Sequence, residues 1–165
     1  MQMKRLKWGL KLSFNIVLVE PEIPQNTGNI ARTCAITNSK LHLVKPLGFE
    51  LDEKQARRAG LDYWPHACVE THENLDAFFD KYQGCRFFYA STKAKKYYTD
   101  VQFQDGDFIL FGKETAGLPE ALIKGNPETA IKIPMDKERR SLNLSNAAAI
   151  VVYEALRQLD FLDLI

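Results

Sequence analysis

The sequence predicts an α/β domain built on a mainly parallel sheet. Three observations carry that prediction. Apolar, β-branched runs of strand length alternate along the chain with segments of helical periodicity. The 165 residues suffice for one domain. Hydrophobic residues make up 45% and charged residues 26%, the proportions of a globular domain rather than a disordered chain. No apolar run approaches the ~18 residues of a membrane span, so no membrane partner is expected.

The elements follow in order. Phe14-Asn15-Ile16-Val17-Leu18-Val19 is nearly unbroken in apolar character and reads as a strand buried on both faces. Pro21 and Pro24 stop it, and a helix is expected over 27–38 with Ile30 and Cys34 on one face. Leu41-His42-Leu43-Val44 is a second strand, closed by Pro46 and Gly48. Residues 52–58 form a short polar helix with an acidic start and a basic end, as the helix dipole favours. A strand over 67–70 precedes a helix over 73–82, whose Leu75, Phe78, Phe79 and Tyr82 recur at helical spacing. Strands are expected over 86–91, 107–111 and 130–133, with one or two helical turns over 119–124 that begin at a proline. The longest helix covers 145–159, and its Ala147-Ala148-Ala149 run allows close packing against a neighbour. In such sheets ligands bind beyond the carboxyl ends of the strands. The loops to inspect are therefore 20–27, 91–100, 112–118 and 134–146.

Charge and cysteine narrow the function. The net charge is +1, but residues 1–13 hold Lys4, Arg5, Lys7 and Lys11 and no acid, leaving −3 for the remainder. A nucleic-acid coat would be strongly basic, so any RNA binding must come from local patches. Residues 1–13 read as an N-terminal extension, disordered or a start-site artefact, ahead of one domain over 14–165. Cys34, Cys68 and Cys85 are odd in number, widely spaced and without a C-x-x-C pair, which fits reduced thiols in a cytoplasmic protein. No H-E-x-x-H pattern or paired acid supports a metal, so none is expected. G-x-G-x-x-G and G-x-S-x-G are absent, and the segment from Gly106 to Lys113 misses the P-loop spacing.

Four segments carry unusual chemistry, and each has a plainer reading. Asn26-Thr27-Gly28-Asn29-Ile30-Ala31-Arg32 either caps a helix or sets Asn26, Asn29 and Arg32 along one helix edge, where an arginine can fork onto a phosphate. Phe111-Gly112-Lys113-Glu114-Thr115-Ala116-Gly117-Leu118 is a turn, or a place where glycine admits a ligand to the backbone beside a carboxylate. Ile133-Pro134-Met135 ends a strand. Ser141-Leu142-Asn143-Leu144-Ser145-Asn146 caps a helix or offers its N-terminus to an anion. Separately, Lys93, Lys95 and Lys96 interleave with Tyr97 and Tyr98, a mixture suited to an extruded base and its phosphates or to a solvated loop.

In this order the four segments resemble the motif set of the SPOUT superfamily of RNA methyltransferases. The run Glu20-Pro21-Glu22-Ile23-Pro24-Gln25-Asn26-Thr27-Gly28-Asn29, with Pro46-Leu47-Gly48-Phe49 and Gly60-Leu61-Asp62-Tyr63, resembles its TrmL (YibK-type) branch of tRNA 2′-O-methyltransferases. The resemblance spans residues 14–159. It implies a C-terminal trefoil knot holding bent S-adenosylmethionine against Ala90, Gly112 and Ile133 through Met135, with Ser141 and Leu142 closing the adenine side. It implies methyl transfer to the ribose 2′-hydroxyl of the wobble nucleotide of tRNA, position 34, a cytidine or modified uridine. Arg32 is the implied central residue. A guanidinium is a poor base, so its expected work is to clamp the nucleotide phosphate. Asn26 and Asn29 would order the arginine and the ribose. Glu114 and Asn143 would hold the cofactor loops or the target nucleotide, and Ser145 and Asn146 would face the cleft from the helix start. The implied partners are the anticodon arm of tRNA and a second copy of the chain in a homodimer. Two other classes remain open. One is a nucleotide-dependent oxidoreductase, which the missing glycine fingerprint opposes. The other is a non-catalytic RNA-binding module on the same fold.

Overall fold

The continuous apolar character of Phe14 to Val19 is that of a strand with neighbours on every side, and this segment lies inside a seven-stranded sheet. The computed structural model describes residues 14–51, 64–161 and 164–165. In chain order the elements are β1 (Asn15–Val19), α1 (Pro24–Ile36), β2 (Lys40–Val44), a 3₁₀ turn (Trp64–His66), β3 (Cys68–His72), α2 (Leu75–Lys81), β4 (Phe87–Ala90), β5 (Lys96–Tyr97), β6 (Phe108–Phe111), α3 (Glu120–Gly125), β7 (Ala130–Lys132) and α4 (Leu144–Gln158). The strand order is β3-β2-β1-β6-β4-β7-β5 and every pairing is parallel. The expected extension over 1–13 and helix over 52–58 lie outside the described residues.

Alternation along the strands divides the core in two. Ile16 and Leu18 of β1 join Leu41, Leu43, Ile109 and Ile131 beneath α1 and α4. Val17 and Val19 face the other way, with Val44, Phe108 and Leu110, beneath Phe78 of α2 and Ile123 of α3. Ala148, Val151, Val152, Ala155 and Leu156 form the buried stripe of α4, and Ile30, Ala31 and Cys34 that of α1. The two helices pack on each other. All three cysteines are free thiols; Cys34 is buried and the other two are half-buried.

Three elements differ from expectation. α1 begins at Pro24 rather than Thr27, because proline at the first helical position gives up an N–H that has no partner there. The Phe87–Ala90 strand is followed by a further one, β5, which is only two residues long and too short for a periodic signal. β3 runs on to His72, past the expected Glu70.

That last difference places two histidines in the core. His42 and His72 are buried, their rings stacked with centroids 5.3 Å apart. Asn15 Nδ2 donates to the Gly106 carbonyl at 3.0 Å, so its Oδ1 must accept from His42 Nε2 at 3.1 Å. His42 Nδ1 then accepts from His72 Nε2 at 3.0 Å. Glu70 stands beside them and takes ion pairs from Lys40 and Lys81 and hydrogen bonds from the Tyr82 hydroxyl. His42, Glu70 and His72 bring possible ligand atoms within 4.8 Å of one another. The two ammonium groups on Glu70 and the saturated His–His bond make this a charge-paired network rather than an inviting cation site.

Burial, reinforced by Lys40 and His72, holds the His42 pKa down at about 3. Burial lowers His72 as well. Burial pushes Glu70 up, but hydrogen bonds from Lys40 and Lys81 outweigh it and leave the carboxyl at about 2. A group whose folded pKa lies below its unfolded value loses stability as pH falls from the unfolded value toward the folded one. For His42 that window runs from 6.5 toward 3. Glu70 adds to the loss only below about 4.5. Urea denaturation should therefore show roughly 2 kcal/mol less stability at pH 5 than at pH 7.5 from His42 alone, with His72 contributing in the same direction. An unfolding free energy that does not change between these pH values would mean the pair is charged or hydrated in the folded protein.

Candidate active site

The carboxyl ends of β6, β4 and β7 lie side by side, and the chain leaves each of them into a wall of one cleft. The cleft holds about 610 Å³, a usual size for a small-molecule site. Ala90 ends β4 and Lys93 follows it, Gly112 through Leu118 follow β6, and Ile133 and Met135 follow β7. Ser141, Leu142 and Asn143 close it from the approach to α4, and Ile23 and Asn26 from the start of α1. All six residues expected at a cofactor thus line one cavity, as do Asn26, Glu114 and Asn143. Asn29, Arg32, Ser145 and Asn146 do not line it.

The polar groups here are arranged by hydrogen bonds between loops far apart in sequence. Glu114 Oε2 accepts from the Glu22 N–H at 2.8 Å, and Oε1 from the Ile23 N–H at 3.1 Å and from Asn26 Nδ2 at 3.2 Å. Ile23 is the N-cap of α1 and has no side-chain cap of its own. Glu114 therefore supplies, from 91 residues away, the carboxylate that a capping box normally supplies from inside the helix, and it stands at the positive end of the helix dipole. Glu22 answers in the opposite direction: its carboxylate accepts from the Thr115 N–H at 3.0 Å and from Thr115 Oγ1 at 2.9 Å. Lys113 Nζ donates to Glu20 at 3.0 Å, which anchors the same two loops a third time.

The network continues into α4. Asn26 Oδ1 accepts from Asn143 Nδ2 at 3.0 Å. Asn143 Oδ1 caps the helix, accepting from Ser145 N–H at 2.9 Å, Asn146 N–H at 3.3 Å and Ser145 Oγ at 2.6 Å. The simple reading of residues 141–146 as a cap is thus correct for Asn143, which also ties α4 to α1. Asn26 is 5% exposed and spends both ends of its amide on Glu114 and Asn143. Asn29 and Arg32 are exposed on α1. Successive steps of three residues turn about 60° around a helix. The three residues therefore drift from the cleft wall to the outer face rather than sharing one environment.

Two glycines matter through close approach. A Cβ on Gly112 would lie 1.9 Å from the Gly117 carbonyl carbon and 2.0 Å from the Leu118 nitrogen. The loop itself therefore demands glycine at 112, and a side chain there would displace the wall before meeting any ligand. A Cβ on Gly48 would lie 2.7 Å from the Glu22 Cα, and the Gly48 N–H donates to the Pro21 carbonyl at 2.9 Å. Gly48 therefore buttresses the loop that Glu114 holds. Glu22, Thr115 and Gly48 are not among the site residues expected from the sequence, although all three lie within the quoted motifs. Their role depends on a contact across 93 residues for Glu22 and Thr115, which no local pattern reveals.

The cleft is electropositive. Lys93, Lys132 and Arg140 line it, together with Lys113, which pairs with Glu20, against one carboxylate, Glu114, whose oxygens are already engaged. Apolar wall comes from Ala90, Leu118, Ile133, Leu142 and Ala147. Such a site suits a ligand with an apolar or aromatic body and an anionic partner.

Comparison with known proteins agrees with this arrangement. The SpoU rRNA Methylase family matches residues 13–153. A tRNA (cytidine(34)-2′-O)-methyltransferase of Methylovorus glucosotrophus is 52% identical over 149 residues, covering 90% of this chain and 97% of that protein. A solved structure reported as "Structural insights into the 2-OH methylation of C/U34 on tRNA" is 44% identical with a TM-score of 0.83, covering 89% of this chain and 96% of that one. The SpoU methyltransferase AviRb from Streptomyces viridochromogenes, in complex with AdoMet, is 22% identical, with a TM-score of 0.77 over 92% of this chain and 60% of that one. At that identity it shows a shared fold alone. The sheet, the cleft at its carboxyl edge and the family match over most of the chain lead to one conclusion: this chain is a member of the SpoU methylase family of SPOUT methyltransferases.

Proposed function

We propose that this chain transfers a methyl group from S-adenosylmethionine to the ribose 2′-hydroxyl of nucleotide 34 of tRNA, a cytidine or modified uridine. The observation that carries the reading is the gathering of Ala90, Gly112, Ile133, Met135, Ser141 and Leu142 into one cleft of cofactor size beside the Asn26–Glu114–Asn143 network. The donor set fits S-adenosylmethionine: apolar wall for the adenosine and thioether carbons, and cations at Lys93 and Arg140 for a carboxylate. When bound, that cofactor supplies an electrophilic methyl on a sulfonium that departs as a neutral thioether.

The chain's own residues position the reactants. Glu114, Glu22 and Asn143 fix the start of α1 and the start of α4 against the loop after β6. Ser145 and Asn146 complete the α4 cap. Both Glu114 oxygens accept from N–H groups, so this carboxylate is a positioning group rather than a base. Arg32, exposed on α1, clamps the phosphate of the target nucleotide, and that phosphate assists loss of the hydroxyl proton. Asn29, exposed beside it on α1, orders the ribose.

Other features belong to this reading. The insertion of β6 between β1 and β4, both earlier in the chain, supports a knotted C-terminal path. Ile150 and Tyr153 are 36% and 44% exposed on α4 and support a homodimer that covers them. The family match beginning at residue 13 supports a domain over 14–165, with 1–13 as an extension. No described helix is long and apolar enough to cross a membrane, and a tRNA substrate supports work in the cytoplasm.

Incubation with tRNA and labelled S-adenosylmethionine should give a 2′-O-methyl at nucleotide 34; tRNA binding without transfer would instead establish the RNA-binding module. Arg32→Ala should bind the cofactor like wild type while single-turnover transfer falls at least about tenfold, since a charge-assisted bond is worth roughly 1.5–3 kcal/mol. Equal losses in cofactor affinity and transfer would move Arg32 into the cofactor site. Glu114→Gln leaves an amide where a two-oxygen acceptor is needed. It should lower unfolding stability by about 1–3 kcal/mol and slow transfer as well; an unchanged melting temperature would show that the loops hold without this carboxylate.

A further inference from the structure

Resting on the reading of the cleft as a tRNA methyltransferase site, we propose that Tyr97, backed by Lys132, is a stacking platform for a nucleobase flanking the target nucleotide. β5 is the edge strand beside the cleft, and Tyr97 sits opposite Lys132 of β7. Lys132 lines the cleft, and its ammonium lies 5.4 Å from the centre of the Tyr97 ring. The ring is 45% exposed.

The backbone under this ring is fixed on every side. The Tyr97 N–H donates to Asp100 Oδ2 at 2.8 Å, and the Asp100 N–H returns to the Tyr97 carbonyl at 2.9 Å. The next residue's N–H donates to the Lys132 carbonyl at 2.9 Å. The neighbours have other duties: Tyr98 packs against the core and Lys96 pairs with Glu128. From the mixed basic and aromatic stretch over 93–98, the fold thus selects one half-exposed aromatic ring next to a cation that lines the cleft. A single exposed tyrosine needs no explanation by itself. A half-exposed ring on a hydrogen-bonded backbone, with the ammonium of a cleft-lining lysine 5.4 Å from its centre, has the chemistry that single-stranded RNA requires: a π-face for a base and a positive charge for its phosphate. Stacking is tolerant of base identity because every base has a π-face, so the platform adds affinity rather than sequence choice.

The test uses full-length wild type, Tyr97→Phe and Tyr97→Leu. KM and kcat for tRNA are measured at saturating S-adenosylmethionine, and cofactor affinity by calorimetry. Tyr97→Leu keeps apolar bulk but loses the ring; it should raise KM for tRNA about tenfold, with kcat and cofactor affinity unchanged. Tyr97→Phe should restore KM to near wild type. A tRNA lacking the base on one side of nucleotide 34 should then cost wild type and Tyr97→Phe the same tenfold and cost Tyr97→Leu nothing, a coupling that a purely structural tyrosine would not show. An unchanged KM in Tyr97→Leu, or base removal that penalises all three proteins equally on both sides, overturns the platform while the enzyme remains a tRNA methyltransferase. A wild type that methylates no tRNA overturns the functional reading, and the platform with it.

Discussion

The Glu114 carboxylate accepts from two backbone N–H groups ahead of α1 and from the Asn26 amide, and the cleft takes its shape from those bonds. α1 has no cap from its own sequence, since Ile23 precedes it and Pro24 begins it. Its direction and register are set from outside, by a residue on the loop after β6. The pairing of Glu22 with Thr115 makes the attachment reciprocal, and Asn143 extends it to α4. Three segments separated by as much as 117 residues thereby behave as one wall. An uncompensated buried polar group is costly. Removing any one member of this chain would therefore strand its partners.

The same network explains a division of labour. Groups in the wall are satisfied by one another and are geometric, whereas Lys93, Lys132 and Arg140 line the cleft as its cations. A near-neutral protein can in this way present a concentrated positive field where it is used, as low-dielectric walls focus it. On the opposite side of the sheet, the buried His42–His72 pair and the half-buried Glu70 form a second polar set that fixes β2 and β3. It lies among the aromatic rings of Phe78, Tyr82 and Phe108, and its effect is on stability rather than on the cleft.

Much of this was legible in the chain. Strands buried on both faces announce themselves as apolar runs, and the long stripe of α4 has a clear helical period, so the α/β class and most elements follow from periodicity. The four motif segments also hold many of the cleft residues, because glycine, small and amide residues cluster where backbones converge, but Asn29, Arg32, Ser145 and Asn146 fall outside the cleft. What periodicity could not show was β5, two residues long, or the early start of α1, where the proline that ends the preceding strand also begins the helix. The sequence marks Gly112 as a site of close approach by a ligand, but the approaching group is its own loop at Gly117. Glu22 and Thr115 lie in the quoted segments, but no local pattern shows their pairing, since their meaning lies in each other. His42 and His72 are 30 residues apart and meet only because β2 and β3 are neighbours in register.

The position of β6 bears on how the chain acquires its structure. β1 pairs with β2, about 25 residues further on, but also with β6, where Asn15 lies opposite Phe108. Closing a loop of that length fixes much chain entropy before any contact repays it, and parallel sheets with such distant pairings fold slowly. During synthesis the β3-β2-β1 half emerges with one side of β1 unpaired, an edge open to other strands. Apart from Ile23 and Asn26, the residues that line the cleft lie between 90 and 147, so its walls are completed only after that edge is filled. The active centre is consequently the last region to mature, and a nascent chain has a long interval in which its sheet exists and its chemistry does not.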